Sequence, residues 1–298
     1  MTAVSILIPH YNDPEGFALT LRSIENQTWR GSKHTIVCDD GSTPENFERL
    51  RAVVDSATTP ITLLVNETNR GRPYTRNRLL DAADGHYLTW CDAGDEFYPR
   101  KLEVQVDSLY RAESRGYERP LWCICDYSMH WVGGKPKRGR QKTDGDQIGN
   151  LLTSSLRAYL FTAMGTTQSF RDVGYFDADL PRLQDLDFFL RFAEKDGLFI
   201  GTVVDESLCV YHKSDVGKDG DLIAECFDRI YRKHSIILLQ RSRRFRRNRR
   251  HDLHMLAARF SANNNDALKA AAHLARAAVY SPVRFAKKTR STKGRPWL

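Results

Sequence analysis

Short apolar runs alternate with stretches of helical period along the first two hundred residues. Val4-Ser5-Ile6-Leu7-Ile8 reads as a buried first strand, and Phe17, Leu19, Leu21 and Ile24 then mark a helix. Thr35-Ile36-Val37-Cys38 predicts a second strand. Ser42-Thr43-Pro44-Glu45 follows as a capping box with Pro in the first turn, and Phe47, Leu50, Val53 and Val54 carry that helix on. Ile61 to Val65 predicts strand three, Tyr74 to Ala83 a helix, His86 to Cys91 strand four and Pro99 to Arg115 another helix. Strands alternating with helices mean βαβ units and a largely parallel sheet, so the fold class is α/β.

The pattern then changes. Leu121 to Trp131 is strand-like, and Gly133 to Asp146 is a basic, polar loop. Thr166 to Phe170 and Leu198 to Tyr211 predict further strands around a helix that opens at Asp185. From Asp221 the periodicity is helical. Leu253, Leu256, Ala257 and Phe260 form one face; Asn263 to Asp266 break and re-cap the chain; Leu268, Ala271, Ala272 and Ala275 form the next, predicting an αα-hairpin. The expected organisation is an α/β domain over residues 1–220 and a basic helical region over 221–298.

Length and composition fit that division. The 298 residues are 41% apolar, enough for one large α/β core and an appendage. The net charge of +8 is uneven, because Arg241, Arg243, Arg244, Arg246, Arg247, Arg249 and Arg250 crowd one stretch. Such a tract suggests an anionic partner, a membrane surface before nucleic acid. Six scattered cysteines make no metal-type pair and read as buried free thiols. Met1-Thr2-Ala3 leads straight into a strand, and no apolar run approaches the roughly 18 residues of a spanning helix. These features suggest a cytoplasmic protein, peripheral at the inner face of the cell membrane if its acceptor is lipid-linked.

Acidic residues cluster where strands end. Asp92-Ala93-Gly94-Asp95 follows strand four, and ligands of open α/β sheets bind at such carboxyl ends. Carboxylates there suit a hard divalent cation on a nucleotide's phosphates. Asp39-Asp40-Gly41-Ser42 follows strand two, where a carboxylate can accept a base N–H; a turn with a helix cap accounts for it equally well. Asn69-Arg70-Gly71-Arg72 and Arg76-Asn77-Arg78 bracket a helix start, suiting phosphate or simply a solvated loop. His212 follows an apolar strand. No G-x-G-x-x-G succeeds strand one, which excludes a dinucleotide oxidoreductase, and no Lys-bearing phosphate loop supports a nucleotidyltransferase.

These fragments occur in one order: Ser5-Ile6-Leu7-Ile8-Pro9-His10-Tyr11-Asn12, Asp39-Asp40-Gly41-Ser42, Asn69-Arg70-Gly71 with Arg76-Asn77, Asp92-Ala93-Gly94-Asp95, Gly174-Tyr175-Phe176-Asp177, Asp185-Leu186-Asp187 and Tyr211-His212. Together they resemble the family 2 glycosyltransferases of GT-A fold, over about residues 1–220. The resemblance implies an inverting transfer of a sugar from a nucleotide diphosphate, with UDP the expected carrier, to a hydroxyl of a glycan or lipid-linked acceptor in polysaccharide synthesis. It implies Pro9 and Tyr11 at the nucleoside, Asp40 on the base, Arg76 and Asp92 at the phosphates or sugar, Asp95 with His212 on Mn²⁺ or Mg²⁺, and Asp185 as the base. Two positions depart from the family pattern: Gly94 replaces a third carboxylate, and Gln184 replaces an acid before Asp185. They are the only support for the alternative, a catalytically inactive nucleotide-sugar-binding module.

Overall fold

In a computed structural model, which describes residues 3–131, 135–213 and 219–291, the predicted alternation is realised. It comprises β1 (Val4–His10), α1 (Pro14–Glu25), β2 (Lys33–Asp39), α2 (Pro44–Asp55), β3 (Ile61–Val65), α3 (Arg72–Ala82) and β4 (Tyr87–Trp90). Next come β5 (Glu96–Phe97), α4 (Lys101–Ser114), β6 (Leu121–Ile124), β7 (Asp126–Trp131), β8 (Lys137–Gly139) and α5 (Gln147–Thr153). A 3₁₀ turn at Leu160–Thr162 leads into β9 (Ala163–Thr166), followed by α6 (Thr167–Val173), α7 (Gln184–Glu194), β10 (Leu198–Gly201) and β11 (Ser207–Lys213). The chain divides into two compact units, Met1–Lys213 and Ser214–Leu298.

In the first unit seven strands form one sheet in the order β10-β6-β9-β4-β1-β2-β3. β1 pairs parallel with β2 and β4, and β2 with β3. β9 runs antiparallel between β4 and β6. The chain steps from β1 to β2 and β3, then returns to place β4 on β1's other side. That reversal opens a crevice at the carboxyl ends of β1 and β4, where such sheets take ligands. β1, β4 and β6 are buried along almost their whole length, as strands covered on both faces must be. A second sheet, β5-β11-β7-β8, stands beside the crevice.

The expected continuous strand Leu121 to Trp131 divides at Cys125 and feeds both sheets, because the apolar run of β6 gives way to the half-exposed positions of β7. Thr166 to Phe170 is not a strand. Thr166 caps α6 by accepting from the Ser169 N–H, and the strand is the Ala163–Thr166 stretch before it. The cap of α2 is Thr43, which accepts from the Asn46 N–H; Ser42 is drawn off to Asp39, so the expected capping box does not form. Part of the Gly133-to-Asp146 loop is strand β8, and its residues 133 and 134 lie outside the described set, as do residues 214–218.

α7 matters most for position. Phe188, Phe189 and Phe192 on its inner face pack around Trp122 of β6, with ring centroids 5.7, 5.3 and 3.8 Å away. Full burial of such side chains stabilises by roughly 1.5–3 kcal/mol each. Arg191 adds a clamp, donating to Asp187 at 2.9 Å and to the carbonyls of Val173 and Tyr175. The N-terminus of α7 is thereby held against the sheet.

The second unit is helical: α8 (Gly220–Lys233), α9 (Ser235–Leu239), α10 (Arg243–Asn263), α11 (Ala267–Tyr280) and α12 (Pro282–Ser291). α10 and α11 form the expected hairpin, but α11 buries Ala270, His273 and Ala277, and Leu268 is exposed. His273 lies outside the face that the sequence pattern marked. It is buried because its two ring nitrogens meet His254 (3.1 Å) and Asp221 (3.0 Å). All six cysteines are buried and free, as expected.

Candidate active site

The crevice is built on two carboxylate groups. At the end of β2, Asp39 is fully buried and accepts from His10 Nδ1 at 2.7 Å, Ser42 Oγ at 2.5 Å and the Ser42 N–H at 3.0 Å. His10 Nε2 accepts from the Asp13 N–H, which fixes the Nδ1–H tautomer. Burial pushes the Asp39 carboxyl up, but the bonds from His10 and Ser42 outweigh it and hold the group below the usual range. Asp40 accepts from the Arg70 N–H (2.9 Å), the Gly71 N–H (2.8 Å) and Asn66 Nδ2 (2.7 Å). It thus ties the loop before α3 to the end of β2. Gly41, at φ +71°, lets that loop close: a Cβ there would lie 2.4 Å from the Thr68 backbone. Tyr11, beside this network, is exposed, and Pro9 is half-buried.

The second group meets around Arg76 of α3, whose side chain is only 3% exposed. Its Nη1 donates to Asp185 Oδ1 at 2.5 Å, and Nη2 to Asp92 Oδ1 at 3.1 Å. One guanidinium therefore spans the end of β4 and the start of α7, bringing together residues 93 positions apart. Burial opposes ionisation of Asp92, yet Arg76 and Arg72 win, and its carboxyl lies low. At Asp185 burial dominates, Arg76 only partly offsets it, Asp92 adds repulsion, and the carboxyl is raised. Leu183, just ahead of α7, adopts a left-handed φ of 60°, a strained conformation for a branched residue, held where the chain turns into this helix.

Asp95 is buried at the turn after β4. Thr20 Oγ1 pins that turn by donating to the Asp95 carbonyl at 2.6 Å and accepting from the Gly94 N–H at 3.1 Å. Burial and the neighbouring charge of Asp92 drive the Asp95 carboxyl well above its ordinary value. Its Oδ1 accepts from the His212 N–H at 3.0 Å, and Oδ2 has no donor among the described residues. The His212 ring turns instead to Glu96, with Nε2 2.8 Å from Oε1. No group of three or more His, Cys, Asp or Glu among the described residues is arranged to hold a metal by itself. A divalent ion bound through one or two carboxylates and a diphosphate needs no such cage, and a buried carboxyl crowded by another fits that role.

The structure thus brings Asp92, Arg76 and Asp185 into direct contact and ties Asp95 to Asp92 through the turn (Asp95 N–H to Asp92 carbonyl, 3.0 Å). Asp40 and Tyr11 sit at the neighbouring strand ends, and His212 reaches Asp95 by its backbone. Sequence reasoning missed the His10–Asp39 pair, for which position at two adjacent parallel strand ends was the available signal. It also missed Tyr159, whose hydroxyl is raised by burial and, more weakly, by the charges of Asp185 and Asp95; its irregular segment carries no pattern. Cavities of about 580 and 650 Å³ lie away from this site, against β10 and against α4.

Comparison with known proteins fits this geometry. The sequence model described as "Glycosyl transferase family 2" matches residues 5–154. The amylovoran biosynthesis glycosyltransferase AmsB of Erwinia amylovora is 29% identical over 219 residues, 70% of this chain and 69% of its own length. The glycosyltransferase YibD of Escherichia coli is 33% identical over 133 residues (43% of this chain, 37% of that protein). The E. coli UDP-Glc:α-D-GlcNAc-diphosphoundecaprenol β-1,3-glucosyltransferase WfgD is 31% identical over 108 residues, 36% of this chain and 41% of that protein. Among solved structures, the mannosyltransferase PcManGT of Pyrobaculum calidifontis, in complex with GDP-Man and Mn²⁺, aligns over 99% of this chain and 81% of its own at TM-score 0.60 and 17% identity. Staphylococcus aureus TarS 1-349 in complex with UDP-GlcNAc aligns over 93% and 91% at TM-score 0.57 and 14% identity. The architecture is that of the GT-A transferases, and the chain belongs to glycosyl transferase family 2.

Proposed function

We propose that this protein is an inverting glycosyltransferase that moves a sugar from a nucleotide diphosphate, preferentially a UDP-sugar, to a hydroxyl of a glycan or lipid-linked acceptor in polysaccharide synthesis. The observation that carries the reading is Arg76 joining Asp92 to Asp185, because it supports an acidic diphosphate corner and a candidate base within one crevice. The likeness to AmsB and to TarS bound to UDP-GlcNAc supports the substrate class.

In this mechanism the exposed ring of Tyr11 offers a face to the base, with Pro9 beside it, and Asp40 keeps lone-pair capacity for the base N–H while holding the Arg70–Gly71 loop. Asp95, with His212 close by, would hold Mn²⁺ or Mg²⁺ on the diphosphate. The ion supplies Lewis-acid stabilisation of the departing phosphate charge. Asp185 accepts the proton of the acceptor hydroxyl as that oxygen attacks the anomeric carbon from the face opposite the diphosphate. Base assistance of this kind contributes about 10²–10⁴-fold. Arg76 favours the ionised form of Asp185 and partly offsets the burial that raises its carboxyl.

The test is release of nucleoside diphosphate from a panel of nucleotide sugars with Mn²⁺, with the product's anomeric configuration read by NMR. Donor turnover with inversion supports the proposal. Tight donor binding without hydrolysis or transfer on any acceptor would establish the inactive binding module instead.

A further inference from the structure

Basic charge in this chain is segregated. Residues 214–298 carry 20 Lys or Arg against 7 Asp or Glu, a formal +13, while residues 1–213 carry −5. The arginines of the 241–250 tract divide by role within their own helical unit. Arg249 lies 3.3 Å from Asp252, Arg250 reaches Asp228 and the Tyr280 hydroxyl, and Arg247 Nε donates to the Tyr280 carbonyl at 2.8 Å. Those three are fastened into the hairpin. Arg243 and Arg244 are exposed and Arg246 half-exposed, and none of the three has an acidic partner among the described residues. They also occupy the first turns of α10, where the helix dipole disfavours cations, so folding alone does not reward their placement.

Exposed aliphatic side chains accompany them. Ile236 (74% exposed) and Leu239 (67%) stand three residues apart on α9, while Ile237 and Leu238 between them are buried. Val279 (73%) and Val283 (70%) flank the α11–α12 junction, and the Arg247 bond to the Tyr280 carbonyl brings the first turns of α10 against that junction. We propose that α9, the first turns of α10 and the α11–α12 junction form one docking face for an anionic lipid bilayer. Charge complementarity selects the occupant. Anionic headgroups answer the unpaired arginines, each worth about 1 kcal/mol near such a surface, and the acyl boundary takes the aliphatic side chains. A nucleic acid would answer only the first set, since phosphates give Ile236, Leu239 and Val283 nothing to enter. The inference concerns attachment only and stands apart from the transfer reaction.

The test is co-sedimentation of the full chain with vesicles of phosphatidylcholine alone or with roughly a third phosphatidylglycerol. The expected result is binding to the anionic vesicles only, reversed near 1 M salt, where the Debye length falls to about 3 Å. The triple variant Arg243→Gln, Arg244→Gln, Arg246→Gln should bind about 100-fold more weakly, roughly fivefold per arginine. Ile236→Ser with Leu239→Ser and Val283→Ser should weaken binding at least tenfold at an unchanged melting temperature. Absence of binding, equal binding to neutral vesicles, or indifference to the aliphatic variant would overturn the proposal. So would a DNA duplex bound more tightly than the vesicles.

Discussion

The two carboxylate groups of the crevice lie on either side of β1, at the ends of β2 and β4, and are treated in opposite ways. Asp39 and Asp40 are well supplied: His10, two groups of Ser42, two backbone N–H groups and Asn66 all donate to them. Asp92, Asp95 and Asp185 are under-supplied, with one buried guanidinium and one backbone N–H against three carboxylates. The first arrangement spends its donors on a fixed shape. The second leaves charge unbalanced, and two of its three carboxyls are raised in consequence. The proposed transfer would use both: a rigid wall for the nucleoside, and carboxylates whose state answers to what enters.

The contrast can be broken from either side. The largest expected effect is on turnover. Asp185→Asn should lower transfer by about 10³-fold with donor affinity within twofold, since Asn still accepts from Arg76. Retained turnover in a direct transfer assay removes Asp185 as the base.

Next is stability on the well-supplied side. Asp39→Ala strands the buried His10 and Ser42 donors and should cost about 3 kcal/mol in denaturant unfolding at pH 7. Because the Asp39 carboxyl is held low when folded, its contribution is complete above the unfolded value near ~3.9 and disappears as pH falls through the folded one. The variant's penalty should therefore shrink in acid; a penalty constant from neutral pH down to about 2 would contradict the assigned hydrogen bonds.

Arg76→Gln removes the cation from between Asp92 and Asp185. The acid limb of the kcat/KM profile should move up by about one pH unit, because the base loses the charge that offsets its burial. A lower rate with an unmoved acid limb would make Arg76 a packing residue only.

The smallest effect carries the opposite sign. The raised Asp95 carboxyl means that the folded chain gives up stability as pH rises from the unfolded value through the folded one. Asp95→Asn keeps the acceptor for the His212 N–H and drops the charge, so at pH 7 without divalent ions it should raise Tm by roughly 2–4 °C. Added Mn²⁺ with UDP should stabilise the parent chain more than this variant. Equal responses would move the metal site elsewhere.

Much of the fold was legible because alternation and period are local. β1 to β4 and their helices follow from apolar spacing and from Pro in the first turn of α2, whereas the α2 cap moved from the expected Ser42 to Thr43. The errors came where a polar residue is buried by partners distant in sequence, as at His273, or where one apolar run serves two sheets, as at Cys125. Asp40, Asp92, Asp95 and Asp185 could be singled out because acids at strand ends and helix starts are conspicuous. The His10–Asp39 pair was not, since a histidine 29 residues away has no local mark of contact.

By itself the sequence determined the parallel α/β frame, the order of its motifs and the basic character of the last third, because each is written in the spacing and type of neighbouring residues. The tertiary structure alone decided which carboxylates are satisfied and which face one another, and which arginines remain open to solvent. Those outcomes depend on burial and on distances between groups tens of residues apart, where a few ångströms separate a bonded acid from a poised one.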